Sequence, residues 1–368
     1  MNRIAIVGGG PGGLMLARLL QRQGLAPVVF ERDAHAGERP QGGSLDLHVE
    51  TGLRAMRRAG LRAEFEAAAR PEDQGDRLYD PAGNLLFDRD GSGDDRPEID
   101  RTALRRILLD SLAPGTVRWG SRVEAVVPEG DGWAVAGSGW RARFDLVVGA
   151  DGAWSRVRPL LGDAVPAYDG VTFVELGFEG DRHPRIAALT GRGKMFAVGT
   201  NRALVTQRNG LGHIRGYAGI RMPESTGRDW SRWPVEAVRA ALREAFADWA
   251  PRLTEVVESG DILAVRPLQS LPIGHRWANR PGLTLIGDAA HLMSPFSGEG
   301  VNLALADAAD LAEAVAAGGG AAIAAFEERM TARAGVEAEG AAQGLNAAFS
   351  PEGVAGVLDH YRERVAMQ

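Results

Sequence analysis

Cysteine is missing from this sequence of 368 residues. A chain without thiols has no disulfide bridge, no iron–sulfur cluster, no thiolate zinc site and no cysteine nucleophile. It is not a dithiol reductase either, because that reaction needs a redox-active cysteine pair. Lysine is nearly missing too. Lys194 is the single lysine among 42 basic residues, so Schiff-base chemistry would depend on that one side chain.

Long apolar runs and an excess of positive charge are also missing. No stretch of about 20 apolar residues occurs, and the glycines from Gly8 to Gly13 interrupt the N-terminal apolar segment, which otherwise imitates a signal peptide. We therefore expect a cytoplasmic protein without a membrane span. Acidic residues number 48 against 42 basic ones, and a net charge of −6 offers no positive footprint for a nucleic-acid partner.

Glycine, in contrast, is abundant. The chain has 49 glycines, roughly twice the typical share of ~7%, and no repeat accounts for them. Many backbone positions therefore need tight turns or a close approach to a ligand. The length predicts about two domains. Alternating apolar patches over about residues 170–273 indicate an antiparallel sheet, with one inserted helix predicted over Val235–Trp249.

The first informative pattern is Gly8-x-Gly10-x-x-Gly13. It follows a short apolar run, Ile4–Val7, that predicts a buried parallel strand, and it opens a predicted helix. Such glycines allow a tight turn and a bare backbone beside a pyrophosphate, and the helix N-terminus offers N–H groups to phosphates. Glu31 ends the next predicted strand, where an acid suits the hydroxyls of a ribose. The alternative is a glycine-rich turn that binds no ligand.

Two later motifs also follow predicted buried strands. The second runs from Gly149 to Gly152, includes Asp151 and has Arg158 downstream; by itself it is also compatible with an ordinary Asp-Gly turn. In the third, Asp288 stands at the C-terminal end of a strand, where ligands of open parallel sheets bind. His291 follows as either a catalyst or a structural histidine. The residues after it that approach the start of a helix are Pro295, Gly298, Gly300 and Asn302.

The three motifs, in this order and spacing, resemble the single-component (class A) FAD-dependent aromatic hydroxylases over nearly the whole chain. The stretches Gly42–His48, Pro97–Arg101 and Gly287–Asn302 are similar to the tetracycline-inactivating flavin monooxygenases. The resemblance implies an α/β fold of the para-hydroxybenzoate hydroxylase type. It places a discontinuous Rossmann-like FAD-binding domain at 1–168 and 274–320, an antiparallel-sheet substrate-binding domain at 169–273 and a C-terminal helical segment at 321–368.

The resemblance also implies positions for a non-covalent FAD. Asp151 and Arg158 belong to a motif that serves FAD and the transient nicotinamide, NADPH or NADH. The other residues that it assigns to FAD are Gly8, Gly10 and Gly13 (pyrophosphate), Glu31 (ribose), Arg32 (near the adenine), Asp46 (near the isoalloxazine), Arg101 (ribityl–phosphate segment), Asp288 (ribityl–pyrophosphate region), and Pro295, Gly298, Gly300 and Asn302 (flavin ring).

The chemistry implied by the resemblance belongs to the cofactor. NAD(P)H reduces FAD, O₂ gives a flavin C4a-hydroperoxide, and this hydroxylates an electron-rich aromatic or polycyclic, tetracycline- or polyketide-like molecule. No catalytic side chain and no metal site is therefore assigned. A non-oxygenating flavin dehydrogenase or oxidase and a flavin-fold ligand-binding protein remain alternatives. A flavin halogenase is disfavoured, because Trp230 and Trp233 are spaced wrongly for its motif.

Substrate contacts are also assigned by resemblance. Glu175, Lys194 and either His213 or Arg215 stand where the tetracycline-inactivating enzymes have a glutamine, an arginine and a histidine. Phe296 matches an aromatic contact beside the flavin, next to Gly298. Val205, however, replaces an aromatic residue, so a flat phenolic or polycyclic ligand is favoured over tetracycline itself. A ligand of this kind suggests a role in antibiotic resistance or secondary metabolism. Separately, we expect the protein to be a monomer.

Overall fold

The computed structural model describes residues 3–38, 42–91 and 96–366. Residues 1–2, 39–41, 92–95 and 367–368 of the predicted domains lie outside the described residues. The strands are β1 (Ile4–Val7), β2 (Val28–Phe30), β3 (Ser44–Asp46), β4 (Gly75–Tyr79), β5 (Leu85–Arg89), β6 (Glu98–Asp100), β7 (Val117–Arg118), β8 (Ala125–Glu129), β9 (Gly132–Gly137), β10 (Trp140–Phe144), β11 (Leu146–Gly149), β12 (Ala167–Glu179), β13 (Gly193–Gly199), β14 (Arg202–Arg208), β15 (His213–Arg221), β16 (Asp261–Ser270) and β17 (Leu283–Leu285).

The helices are α1 (Pro11–Arg22), α2 (Gly52–Ala59), α3 (Arg62–Ala68), α4 (Arg101–Asp110), α5 (Pro184–Thr190), α6 (Glu224–Trp230), α7 (Val235–Ala245), α8 (Pro251–Ser259), α9 (Asp288–His291), α10 (Gly300–Ala316), α11 (Ala321–Ala348) and α12 (Ala355–Ala366). Short 3-10 helices lie at Pro71–Asp73, Arg158–Leu160 and Gly210–Gly212. Among the helices of the described ranges, none is both long and apolar enough to cross a bilayer.

The chain falls into two compact units. Unit 1 comprises Met1–Ala68, Arg101–Ala167 and Ser270–Ala341, and unit 2 comprises Ala69–Asp100, Tyr168–Gln269 and Ala342–Gln368. The predicted division differs in three places, one of which is that residues 342–368 belong to unit 2. Residues 69–100 belong to unit 2, because β4 pairs in parallel with β13. Residues 321–341 belong to unit 1, where Glu327 accepts hydrogen bonds from Thr284 (2.7 Å) and Asn279 (2.8 Å).

Unit 1 is built around a parallel sheet. Its five strands follow the order β17-β11-β1-β2-β7, and each neighbouring pair is parallel. All four residues of β1 are buried, as expected for a strand whose two faces are covered. A three-stranded antiparallel sheet, β10-β9-β8, belongs to the same unit. The predicted α/β fold class is confirmed, and the sheet presents the carboxyl ends of its strands where the three motifs begin.

Unit 2 is built around a seven-stranded sheet in the order β16-β12-β15-β14-β13-β4-β5. One face packs against α5 to α8, and residues such as Leu176, Met195 and Leu204 meet Leu242 and Phe246 there. Side chains alternate between the two faces of a strand. The residues between these buried positions therefore point to the opposite face of the sheet.

Candidate active site

The turn between β1 and α1 has the form of a phosphate cradle. A Cβ on Gly8, whose φ is +110°, would lie 2.3 Å from the Ala150 carbonyl oxygen, and one on Gly13 would lie 2.2 Å from the Gly8 carbonyl oxygen. Packing therefore requires glycine at both positions. A Cβ on Gly10 would meet no atom within 4 Å. That backbone faces open space at the N-terminus of α1, where the helix dipole favours an anion, so the turn fits the pyrophosphate of FAD.

Glu31 lies beside this cradle, just after β2, and is 6% exposed. Its Oε2 accepts a hydrogen bond from the Gly9 N–H (2.7 Å), and its Oε1 accepts one from the Asp33 N–H (3.0 Å). A carboxylate accepts about four hydrogen bonds, so Glu31 keeps acceptor capacity for ribose hydroxyls. Arg32 follows it and is exposed. The two residues that were assigned to the adenosine half of FAD thus adjoin the glycine turn.

Asp288 and Arg101 are two further exposed charged residues of unit 1. Asp288 begins α9 and is exposed, yet desolvation by the surrounding protein raises the pKa of its carboxyl, while the charges of His291 and Arg101 act in the opposite direction. Arg101 begins α4, is exposed, and its N–H donates to the Gly43 carbonyl oxygen (3.2 Å). An accessible acid close to an accessible guanidinium suits ribityl hydroxyls and a phosphate.

Asp151 and Arg158 lie in the loop that follows β11. Asp151 Oδ2 accepts a hydrogen bond from the Arg156 N–H (2.7 Å), and burial raises the pKa of its carboxyl. Its Oδ1 is buried and has no hydrogen-bond partner among the described residues. Arg158 is buried and donates to the carbonyl oxygens of Ala153 (2.7 Å), Ala164 (3.0 Å) and Ala289 (3.0 Å). These bonds tie the loop to α9.

The turn before α10 is fastened by Asn302, which is fully buried. Its Oδ1 accepts from the His48 N–H (2.9 Å), and its Nδ2 donates to the Asp46 carbonyl oxygen (2.9 Å). Gly298 has a φ of +73°, and a Cβ there would lie 3.8 Å from Asp46 Oδ1. A Cβ on Gly300 would meet nothing within 4 Å. The structure therefore brings Asp46, Gly298, Gly300 and Asn302 together, as their shared assignment to the flavin ring requires.

Two residues at this turn were not singled out from the sequence. His48 Nδ1 lies 2.5 Å from Glu299 Oε1, and His48 Nε2 lies 3.0 Å from Asp46 Oδ2. Signals for both were present, since His48 closes a stretch that is similar to the tetracycline-inactivating enzymes and Glu299 stands between the two glycines of the turn. Only the fold shows that they meet. Of the residues that lead into the turn, Pro295 is exposed and Phe296 is half-buried.

In unit 2, two of the assigned substrate residues share one row of the open sheet face. Lys194 on β13 pairs with Gln207 on β14, and Gln207 pairs with Arg215 on β15, so the three side chains stand side by side. We call these three residues the basic row. The Lys194 side chain is 43% exposed, and its Nζ lies 4.0 Å from Asp76 Oδ2. The row places two cations on either side of one amide.

A row of apolar and aromatic side chains lies two residues further along the same strands. It consists of Phe196, Val205 and Tyr217, which pair across β13, β14 and β15. We call it the aromatic row. Glu175 on β12 pairs with Tyr217 and forms an ion pair with Arg266. Every member of the aromatic row is half-buried, and the Tyr217 ring also lies against Phe173, with the ring centroids 5.7 Å apart.

His213 stands at the margin of this face. It begins β15, its side chain is 51% exposed, and its Nδ1 lies 2.9 Å from Glu179 Oε1. Arg215 lies two residues further into the sheet, within the basic row. Of the two residues that the sequence left as alternatives for one substrate contact, Arg215 therefore stands nearer to Glu175 and Lys194 on the shared face.

Comparison with known proteins agrees with this geometry. The model of a family described as "FAD binding domain" matches residues 1–322. Monooxygenase asqM of Emericella nidulans is 32% identical over 369 residues, which cover 84% of this chain and 83% of that protein. The 3-amino-4-hydroxybenzoate 2-monooxygenase PtmB3 of Streptomyces platensis is 32% identical, with coverage of 86% and 80%.

A solved structure agrees at the level of the fold. The crystal structure of the tetracycline destructase Tet(51) matches with a TM-score of 0.75 over 99% of this chain and 95% of that one, at 20% identity. At that identity the match establishes the shared fold only. The fold, the glycine cradle, the family match over residues 1–322 and two monooxygenase relatives above 30% identity confirm the resemblance read from the motifs: the chain belongs to this FAD-binding family and is a class A FAD-dependent monooxygenase.

Proposed function

We propose that this monooxygenase uses NADPH or NADH and O₂ to hydroxylate an electron-rich aromatic or polycyclic, polyketide-like small molecule. The proposed class of substrate rests on one observation. On the open sheet face of unit 2, the basic row lies next to the aromatic row. A planar ring packs well against aromatic side chains. Ionised or phenolic oxygens at the edge of that ring would pair with the cations. The name of the relative PtmB3, which contains a hydroxybenzoate, supports this class.

Arg215 is the proposed partner of an acidic group on the substrate. It is half-buried, and within the described part of the chain its guanidinium makes no hydrogen bond and no ion pair. Gln207 beside it is held in place, because its Nε2 donates to Glu98 (3.2 Å). A guanidinium with a fixed neighbour and unused donors suits a carboxylate or an ionised enol. Lys194 would bind a second oxygen at the other end of the row.

The proposed cofactor positions are those assigned from the motifs. In unit 1 the glycine turn would bind the pyrophosphate, Glu31 the ribose, and Asp288 with Arg101 the ribityl–phosphate region. Bound FAD supplies the redox chemistry, with the nicotinamide as reductant and O₂ as oxygen source. The contribution of the chain is to bind and orient both reactants and to fix charge near the ring. Nothing in these contacts requires a covalent link.

Tetracycline is not the proposed natural substrate. Glu175 is engaged in an ion pair with Arg266, and Val205 gives the centre of the aromatic row less ring surface than an aromatic residue would. A smaller phenolic or polyketide-like ring fits these two features better, which favours a role in secondary metabolism over drug inactivation. The monomeric state and the cytoplasmic location stay predictions from the sequence.

Substrate-stimulated oxidation of NADPH and NADH tests this proposal. FAD-loaded protein would be offered hydroxybenzoates, naphthols, polycyclic phenols and tetracycline, each acid beside its neutral methyl ester. We expect a phenolic acid to stimulate oxidation and its ester to show a higher KM, because the ester cannot pair with Arg215. Equal KM values for acid and ester would contradict the role of the basic row. Failure of every aromatic compound would contradict the substrate class.

A further inference from the structure

His48 joins two segments of unit 1 that lie 251 residues apart in the chain. Its Nε2 faces Asp46 at the end of β3 (3.0 Å), and its Nδ1 faces Glu299 in the turn before α10 (2.5 Å). The side chains of His48 and Glu299 are only 12% and 17% exposed, and that of Asp46 is 27% exposed. We call these three residues the His48 bridge.

The geometry of the bridge favours a protonated imidazole. A neutral imidazole donates from one nitrogen only, whereas two ionised carboxylates facing its two nitrogens can only accept. Burial by itself lowers the pKa of His48, but hydrogen bonds to Asp46 and Glu299 and the charges of both acids outweigh burial and raise the pKa to about 9. At neutral pH the bridge therefore contains one cation between two anions.

A third acid adds to the negative charge that this cation compensates. Glu337 on α11 faces the bridge, where burial and the charge of Glu299 raise the pKa of its carboxyl and the charge of His48 lowers it. Glu299 Oε2 is buried and has no hydrogen-bond partner in the described ranges. Without the imidazolium, the acids of β3, the turn and α11 would therefore concentrate uncompensated negative charge beside Gly298 and Gly300.

We propose that His48 is a positioning residue for the flavin: it locks Asp46 to Glu299, fixes the turn at Gly298, and supplies the counter-charge that keeps these acids from opposing flavin reduction. This inference rests on the proposed placement of the isoalloxazine beside Asp46 and Gly298. A reduced flavin carries more electron density than an oxidised one, so nearby negative charge disfavours reduction. The acids are needed for the lock, and His48 compensates for their charge.

Two substitutions separate charge from shape. His48→Gln keeps hydrogen-bonding atoms but removes the cation, so we expect the two-electron midpoint potential of bound FAD to fall. Glu299→Gln removes one anion while Asp46 still holds the imidazolium, so we expect the potential to rise. Loosening of the turn alone would move both variants in the same direction. We expect at least a tenfold change in the ratio of reduced to oxidised flavin in each variant at pH 7, or about 30 mV.

The experiment measures the midpoint potential and the Kd of FAD for the holoenzyme from pH 6.5 to pH 10. His183→Gln, in unit 2, is the matched control and should leave both unchanged. The gap between wild type and His48→Gln should close above about pH 9, where wild type loses the same charge. Shifts of the same sign in both variants, or a gap independent of pH, would overturn the inference.

A second measurement tests the inference even if a variant binds FAD poorly. NMR titration of the histidine ring carbons in the wild-type holoenzyme should show one imidazole that titrates near pH 9 and is missing from His48→Gln. A His48 that titrates near its ordinary value would refute the bridge. No step of this test needs a substrate. A failure here therefore differs from a failure of the proposed hydroxylation, which would leave the potentials as expected but give no oxygenated product.

Discussion

Glycine serves two different purposes in the turn after β1. At Gly13 the neighbouring carbonyl leaves no room for a side chain, whereas at Gly10 the space is open. The spacing of the motif predicted both positions, because the requirement is local to one strand, one turn and one helix. The contact between His48 and Glu299 joins residues that are 251 positions apart, so the local motif around each residue does not show that the two meet. Local patterns could predict the cradle but not the bridge.

Alanine substitutions should separate these two purposes. Gly13→Ala forces a methyl group against the Gly8 carbonyl oxygen, so we expect a loss of stability of about 1–3 kcal/mol, the usual cost of overpacking. Gly10→Ala should keep the stability of the FAD-free protein but weaken FAD binding, because its methyl group would occupy the ligand's space. Urea unfolding and FAD titration measure the two effects. Unchanged FAD affinity in Gly10→Ala would place the pyrophosphate elsewhere.

The His48 bridge should also make stability depend on pH. The pKa of His48 rises from 6.5 to about 9 on folding. Such a group contributes its full stabilisation below about pH 6.5 and loses it as the pH rises towards 9, a difference of about 3 kcal/mol. His48→Gln should lack this loss. His291, where Asp307 raises the pKa against the effect of burial, titrates in both proteins and cancels from the comparison. A constant stability difference from pH 6 to pH 10 would refute the shift.

Secondary-structure elements with a local sequence pattern could be predicted. Those that depend on pairing with a distant segment could not. The apolar run at Ile4–Val7 and the buried strand before Asp288 appear as β1 and β17. The helix predicted over Val235–Trp249 ends at Ala245, and a separate helix begins at Pro251, where the preceding Ala250 has an extended backbone, as is usual before proline. Strands β4 and β5 carry no strong pattern of their own. They form because β4 finds its partner in β13, more than a hundred residues away.

The basic row across β13, β14 and β15 should determine the affinity for an acidic substrate. Arg215→Met should raise the KM for an acidic aromatic substrate by about tenfold, the loss of one charged hydrogen bond, and should change kcat little. Arg185→Met is the matched control. It removes the same charge from unit 2, but on α5, where the side chain is 83% exposed and faces Glu255. A KM that responds equally to both variants would show a general charge effect and no specific contact.

At the scale of the whole molecule, the order of the three motifs predicted the family, since no single motif is specific but their combination spans most of the chain. The division into units was harder to predict. Unit 1 is assembled from three separate segments, and so is unit 2. Composition does not change where the chain passes from one unit to the other, for example near residues 69 and 100. The segment 342–368 joins unit 2 through contacts such as Phe349 with Phe173, which only the fold reveals.

Cofactor binding should therefore stabilise one unit selectively. A ligand at about 100 times its Kd stabilises the structure that binds it by about 2.7 kcal/mol, which corresponds to about a hundredfold slower exchange of amides that open by unfolding. We expect FAD to slow hydrogen exchange in residues 8–14 and 288–302 of unit 1 and to leave α7 of unit 2 much less affected. Equal protection of α7 and the glycine turn would contradict the assignment of FAD to unit 1.

We expect this chain to transfer one oxygen atom from O₂ to an aromatic substrate. The most direct measurement is the mass of the product formed by FAD-loaded protein with NADPH or NADH, a phenolic substrate and O₂ labelled with heavy oxygen. The product should gain one labelled oxygen atom, and only when the nicotinamide is present. Consumption of the nicotinamide with hydrogen peroxide as the sole oxygen product, or a product without the label, would contradict it and indicate an oxidase or a dehydrogenase.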